Sequence, residues 1–225
     1  MMPAATVETD IVLLGAGHAH VEVLRRFAMR PQPGVRLTVI GREPETPYSG
    51  MLPGFIRGEH GHDDAHIDLA PLAAAARARL VLSEATAIDL GAKTVAVAGR
   101  PDIAFDLLSI DAGGEPDMPQ GGGIPVKPIG RFLARLAELE RDLPPAARIA
   151  VVGGGAGGTE LALALARRFA GRFRLTLVSR GAEPLEHAPA RARRAARAAL
   201  VDAGVEIASG VGAGALSDGR LPLSD

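Results

Sequence analysis

Two stretches of the chain share one rhythm: an unbroken apolar run, a break into glycines, then apolar residues at helical spacing. The fuller copy runs Arg148-Ile-Ala-Val-Val-Gly-Gly-Gly-Ala-Gly-Gly-Thr-Glu160 and continues as Leu161-Ala-Leu-Ala-Leu-Ala-Arg-Arg168. The other is Asp10-Ile-Val-Leu-Leu-Gly-Ala-Gly-His-Ala-His20, followed by Val21-Glu-Val-Leu-Arg-Arg-Phe27. A short apolar run bounded by glycine predicts a buried strand, and the spacing beyond it predicts a helix. A second apolar run follows each copy, Val35-Arg-Leu-Thr-Val-Ile40 and Phe173-Arg-Leu-Thr-Leu-Val178. The interval from Gly15 to Gly41 equals that from Gly153 to Ser179, 26 positions in each.

Between strand and helix, Gly153, Gly155 and Gly158 occupy the three positions of G-x-G-x-x-G. Bare backbone there permits a sharp turn, close approach of a pyrophosphate, and close packing of helix on strand. The helix N-terminus adds unpaired amides and a positive dipole end. In the first copy Gly15 and Gly17 fill two of these positions and His20 stands at the third. Two such units imply two bound nucleotides, or one inherited scaffold used twice.

Elsewhere the pattern predicts a strand over 7–15, a helix over 17–29 that Pro31 and Pro33-Gly34 stop, and a strand over 35–41. The stretch from Arg42 to Gly54 is too rich in proline and glycine for regular structure, yet carries Tyr48, the only tyrosine. His60, His62, Asp63, Asp64 and His66 lie close in sequence, but a metal site also needs convergent geometry; a solvated polar loop without metal is expected. A helix over 68–78 and strands over 80–89 and 94–97, joined by a turn at 90–93, come next. A buried strand over 105–110 leads into Asp111-Ala-Gly-Gly114. After a glycine linker at 121–123, helices are expected over 130–142 and 188–203, the latter carrying Arg191, Arg193, Arg194 and Arg197. A strand over 205–208 and a hairpin cut short over 216–225 complete the reading.

At 225 residues and 47% apolar composition, the chain can bury a core of one large or two small domains. The formal charge of -1 supplies no general attraction to nucleic acid or anionic membrane, so peripheral membrane contact has no support here. No cysteine is present, which excludes disulfides, thiolate catalysis and zinc-thiolate sites from this chain. Redox work would need a cofactor. No secretory pattern or membrane-length apolar run is seen, and a cytoplasmic location is the expectation. The sequence does not determine an oligomeric state.

Taken together, these residues resemble the FAD-dependent pyridine nucleotide(-disulfide) oxidoreductase superfamily. They are most similar to NADH dehydrogenase-like flavoproteins, found alone or fused ahead of a selenide, water dikinase domain. The resemblance is carried by Gly15-Ala-Gly-His-Ala-His-Val21, Thr46-Pro-Tyr-Ser-Gly-Met-Leu-Pro-Gly54, Ala65-His-Ile-Asp-Leu69 and Val126-Lys-Pro-Ile129. It implies an α/β protein of two Rossmann-like (FAD/NAD(P)-binding) three-layer domains, the first incomplete. Residues 1–115 would form the FAD-binding domain and 116–225 the NAD(P)H-binding domain.

By that resemblance Gly15, Gly17 and the helix start, with His18, Ala19 and His20, would hold the FAD pyrophosphate. For both histidines, packing and a flavin phosphate contact are alternatives. Ala85 would offer backbone groups to adenine, and Ala112-Gly113 would replace the superfamily's Ala-Thr-Gly turn. Ser49, Gly50 and Met51 would lie along the flavin, where disulfide reductases keep their cysteines. Lys127 matches a lysine near the flavin in NADH dehydrogenase-like members, or is an exposed lysine. Glu160 would point toward the nicotinamide, or is a first-turn glutamate favoured by the helix dipole.

Gly41 and Ser179 stand where such units usually place a carboxylate for the ribose. Arg180 follows Ser179, and its charge suits a 2′-phosphate, so NADPH is expected over NADH. Arg42 or Glu43 would take the adenosine ribose in the FAD unit. The resemblance further implies hydride transfer from NAD(P)H to flavin and on to a small acceptor: a quinone, a selenium compound or another oxidant. A selenide, water dikinase domain or protein is a candidate partner. Members continue past the second unit with a Gly-Asp motif for the flavin, which this chain lacks, so a C-terminal truncation is expected. A non-catalytic nucleotide-binding module or an NADPH sensor is the alternative.

Overall fold

A computed structural model describes residues 6–114, 116–119 and 121–224. In chain order the elements begin β1 (Thr9–Leu14), α1 (His18–Met29), β2 (Val35–Gly41), β3 (Glu45–Pro47), a 3-10 turn (Ser49–Met51), α2 (Leu52–Ile56) and α3 (His62–Ala65). They continue with β4 (His66–Asp68), α4 (Leu69–Ala75), β5 (Arg79–Leu82), β6 (Ala85–Asp89), β7 (Thr94–Val97), β8 (Ile103–Ala104) and β9 (Leu107–Ile110). After these come α5 (Ile129–Asp142), β10 (Arg148–Val152), α6 (Ala156–Phe169), β11 (Arg174–Ser179), α7 (Ala190–Asp202), β12 (Glu206–Ser209), β13 (Gly212–Ala213) and β14 (Leu223–Ser224). The chain divides into two compact units. One holds the chain up to Tyr48 together with His66–Gly114, the other Ser49–Ala65 with the chain after Gly114.

In the first unit β5-β2-β1-β9 form a parallel sheet, with Leu14 opposite both Ile40 and Ile110. Successive side chains of a strand point to opposite faces, so a strand covered on both sides reads as an unbroken apolar run. Leu13, Leu37 and Val39 pack on one face with Leu24 of α1 and Ala73 of α4. Val12, Ile40 and Val81 pack on the other with Val95, Val97 and Ile103 of the antiparallel β6-β7-β8 sheet. The result is a three-layer arrangement of helices, parallel sheet and small antiparallel sheet. Leu24 is completely buried, and truncating it to alanine would cost about 2–5 kcal/mol.

The second unit has the parallel sheet β10-β11-β12. Leu175 and Leu177 of β11 join Phe132 and Leu136 of α5, Leu165 of α6 and Leu200 of α7 in one buried cluster. Ile56 of α2 belongs to that same cluster. Arg168 of α6 adds a polar tie, donating to the Ile56 carbonyl at 3.1 Å and to Glu140 of α5 at 2.7 Å.

Several predicted elements are corrected by tertiary pairing. The stretch 42–54 is not irregular: Glu45–Pro47 pairs antiparallel with His66–Asp68, and α2 tolerates Pro53 because first-turn amides have no intrahelical acceptor. Instead of a polar loop, 60–66 contains α3 and the start of β4. The expected strand 80–89 is two strands of two sheets, β5 joining the parallel one and β6 the antiparallel one. No glycine or proline marks the break at Ser83 and Glu84, so the run reads as one strand. Leu107 and Ile110 are half exposed or more, so β9 is less buried than its run of apolar residues predicts. At the chain's far end Ser217 bridges Arg220, whereas Leu223–Ser224 pairs with Gly212–Ala213, so 216–225 is no single hairpin; Asp225 lies outside the described residues.

Candidate functional site

The first glycine turn is built against the chain that follows β9. Gly15 adopts φ +92, and a Cβ on it would collide with the Asp111 carbonyl. Its amide donates to Ile40 at 2.8 Å, while the Gly17 amide donates to the Asp111 carbonyl at 3.2 Å. Glycine at position 15 is therefore required twice, by left-handed backbone and by close approach. The Asp111 carboxylate accepts the Ala19 amide at 2.9 Å and the His20 amide at 3.3 Å. It also fills the space that a Cβ on Gly17 would need.

His20 is only 1% exposed. Its Nδ1 lies 2.7 Å from the Gly15 carbonyl and its Nε2 lies 2.9 Å from the Ser109 hydroxyl. A carbonyl can only accept, so Nδ1 carries the proton and, in the neutral ring, Nε2 accepts from Ser109. With both nitrogens engaged, the imidazole is a packing residue and does not reach outward to a phosphate. His18 differs. It is exposed beside the turn, with its ring edge-on to Tyr48 at 4.8 Å between centroids. Further along the exposed side of α1, Arg25 and then Arg26 hold the Glu22 carboxylate down to about 2.

Other residues expected at this site are spread along the first unit. Arg42 is exposed just past β2 and pairs with Glu84 at 3.6 Å; Glu43 beside it is also exposed. Ala85 opens β6 opposite Val97 and packs, partly buried, against the cluster that contains Val12 and Ile40. Ala112 and Gly113 are exposed after Asp111, with Gly113 at φ +74. Ser49, Gly50 and Met51 form the 3-10 turn, which packs within the second unit rather than the first. A boundary at 115 therefore misses this excursion, because Leu52 and Ile56 bury themselves in the second unit's core.

The second turn shows the glycine logic directly. Gly153 has φ +124 and donates its amide to Val178 at 2.8 Å. A Cβ on Gly158 would collide with the Gly153 carbonyl, whereas one on Gly155 would meet nothing within 4 Å. Gly158 thus serves helix packing and Gly155 leaves open room over a helix start that carries no side-chain cap. Ser179 is buried with its hydroxyl against Gly154, where a Cβ would collide with it. Arg180 is exposed immediately beyond. Glu160 is exposed and is the fifth residue of α6, past the first turn, so the dipole explanation of it falls away. Lys127 is exposed just before α5.

Sequence reasoning missed Asp111 and Gly154. The available signal for Asp111 was a carboxylate at the end of the predicted strand 105–110, directly before Ala112-Gly113. Among the described residues no group of three or more His, Cys, Asp or Glu is arranged to hold a metal ion. Nor is any helix of the described residues long and apolar enough to cross a membrane.

Parallel strands, glycine turns and capped or open helix starts define a dinucleotide-binding α/β class. The chain belongs to the pyridine nucleotide-disulphide oxidoreductase family, whose sequence profile matches residues 9–220. A curated relative, demethylphylloquinone reductase NdbB of Synechocystis, is 33% identical over 135 residues, which is 55% of this chain and 33% of that protein. The water-forming NADH oxidase of Lactobacillus brevis bound to NADH superposes with a TM-score of 0.77 at 19% identity, covering 96% of this chain and 50% of the oxidase. An engineered water-forming NADPH oxidase derived from it, bound to NADPH, gives a TM-score of 0.77 at 21% identity over 95% and 50%. The chain thus spans about a third of the curated relative and half of each solved neighbour.

Proposed function

We propose that the first unit binds FAD, that the second binds NAD(P)H, and that the chain is the dinucleotide-binding part of a flavoprotein oxidoreductase. The observation carrying this reading is the repeated strand, glycine turn and helix in a chain of this family, with open room at Gly155. Bound flavin and nicotinamide would supply the redox chemistry, a hydride passing from one to the other and then to a small acceptor. This chain offers no thiol to relay electrons, which favours a diffusible acceptor. The curated relative is a demethylphylloquinone reductase, so a quinone comes first; a selenium compound or other oxidant is tested beside it.

The chain's own part is binding and orientation. The amides at the start of α6 take phosphate oxygens, and Gly155 admits them. Glu160, exposed one turn further along, orients the nicotinamide end; Lys127 and the Ser49–Met51 turn serve the flavin. His18, Ala112 and Gly113 contribute at the pyrophosphate of the first unit, with Arg42 or Glu43 at its ribose and Ala85 at adenine. Arg180 favours NADPH, since an exposed guanidinium pairs with a 2′-phosphate where a carboxylate would repel it. The engineered NADPH-bound oxidase carries, among its five substitutions, the loss of an aspartate and the gain of two arginines.

A visible absorption scan of the purified protein, followed by anaerobic mixing with NADH and with NADPH, tests this directly. Flavin absorbance that bleaches faster with NADPH, and recovers with a quinone, is the expected result. Colourless protein that still binds NADPH would make the chain a non-catalytic module. Partner binding that responds to NADPH without oxidant-dependent turnover would make it a sensor.

A further inference from the structure

Asp111 holds the position where an anionic ligand of the first glycine turn has to sit. Its carboxylate accepts the Ala19 and His20 amides, two of the N-terminal donors of α1 that have no intrahelical acceptor. A second observation agrees with the first. The volume that bare backbone opens at Gly17 is the volume this carboxylate occupies, since a Cβ there would strike both of its oxygens. The second turn differs: a Cβ on Gly155 would meet nothing within 4 Å, so no carboxylate fills the corresponding space there.

From this we propose that Asp111 is a built-in occupant of the first unit's phosphate seat, and that it sets flavin affinity by exchanging with the dinucleotide pyrophosphate. The inference rests on the reading that this unit binds FAD. A carboxylate and a phosphate cannot both accept the same two amides, and at close range their charges repel. Only the side chain has to move. The backbone of Asp111 stays fixed, because its amide donates to Leu14 at 2.8 Å and its carbonyl accepts from Gly17. Being half-buried, the carboxylate has water close by when it rotates out. In the empty unit the same carboxylate caps α1 and keeps the turn formed, complementing the positive end of the helix dipole. Asp111 is thus a positioning residue of the empty state and a competitor of the loaded one.

The test compares the full chain with Asp111→Asn and Asp111→Ala. FAD affinity is measured by quenching of flavin fluorescence, ligand-free stability by thermal unfolding, and the Ala19 and His20 amides by NMR. Both variants are expected to bind FAD roughly tenfold more tightly than the parent. The ligand-free Asp111→Ala protein should unfold at lower temperature, and the two amide resonances should shift in the absence of ligand. NADPH affinity at the second unit should stay the same. Equal or weaker FAD binding in both variants overturns the role of Asp111 and leaves FAD binding intact. Absence of FAD binding in parent and variants, with NADPH still bound, overturns the flavin reading and this inference with it. Opposite movement of stability and FAD affinity separates exchange from a merely structural cap, which would lower both.

Discussion

His20 donates its Nδ1–H to the carbonyl of Gly15 across 2.7 Å, linking the start of α1 back to the turn that precedes it. The third position of the motif normally calls for glycine so that helix and strand can touch. Here an imidazole is buried at that position and hydrogen-bonded on both sides, with Ser109 of β9 as its second partner. Removing it would leave a void and two unpaired polar groups. His20→Ala is expected to destabilise the protein by about 2–3 kcal/mol in urea unfolding. A loss below about 0.5 kcal/mol, the range of neutral surface changes, would contradict the structural role.

Gly155 and Gly158 separate binding from packing. A Cβ on Gly155 meets no atom within 4 Å in the ligand-free protein, and the residue's φ of −73 suits a side chain such as that of Gly155→Val. Unfolding should therefore change little while NAD(P)H binding is lost and FAD binding persists. Gly158→Ala should destabilise, because its Cβ meets the Gly153 carbonyl and α6 must lift. Calorimetry of both variants with each nucleotide gives the comparison; equal loss of stability in both would refute the division of labour.

Arg180→Ala tests the nucleotide preference. A guanidinium paired with a 2′-phosphate forms charge-assisted hydrogen bonds worth about 1.5–3 kcal/mol, so NADPH should weaken roughly 10- to 100-fold. NADH should change by much less. An unaltered ratio of the two dissociation constants would remove the phosphate contact from the account.

Arg168→Met should loosen Ser49–Ala65 from the second unit. Its guanidinium joins the Ile56 carbonyl to Glu140, and methionine keeps the apolar stem without the donors. Faster limited proteolysis within 49–65 is expected, with a loss of about 1–3 kcal/mol in unfolding free energy. Unchanged cleavage would mean that the apolar anchoring through Leu52 and Ile56 suffices alone.

The two strand, turn and helix units were legible in the order of residues, because their signals are local. Apolar runs, helical spacing and glycines that must bend or admit close contact all act within about 20 positions of one another. Gly153 and Gly158 behave in space as the motif requires, and α5 and α7 start within two residues of their expected positions. Other outcomes depended on partners far away in the chain. Asp111 reaches Ala19 across 92 positions, His20 reaches Ser109 across 89, and Arg168 reaches Ile56 across 112. Residue periodicity carries no record of which distant surface a side chain will meet. Folding therefore decided that His20 faces inward, that a carboxylate sits at the first helix start, that 80–89 splits between two sheets, and that 49–65 packs with the second unit. Each of these is a choice among burial sites that only the assembled core makes available.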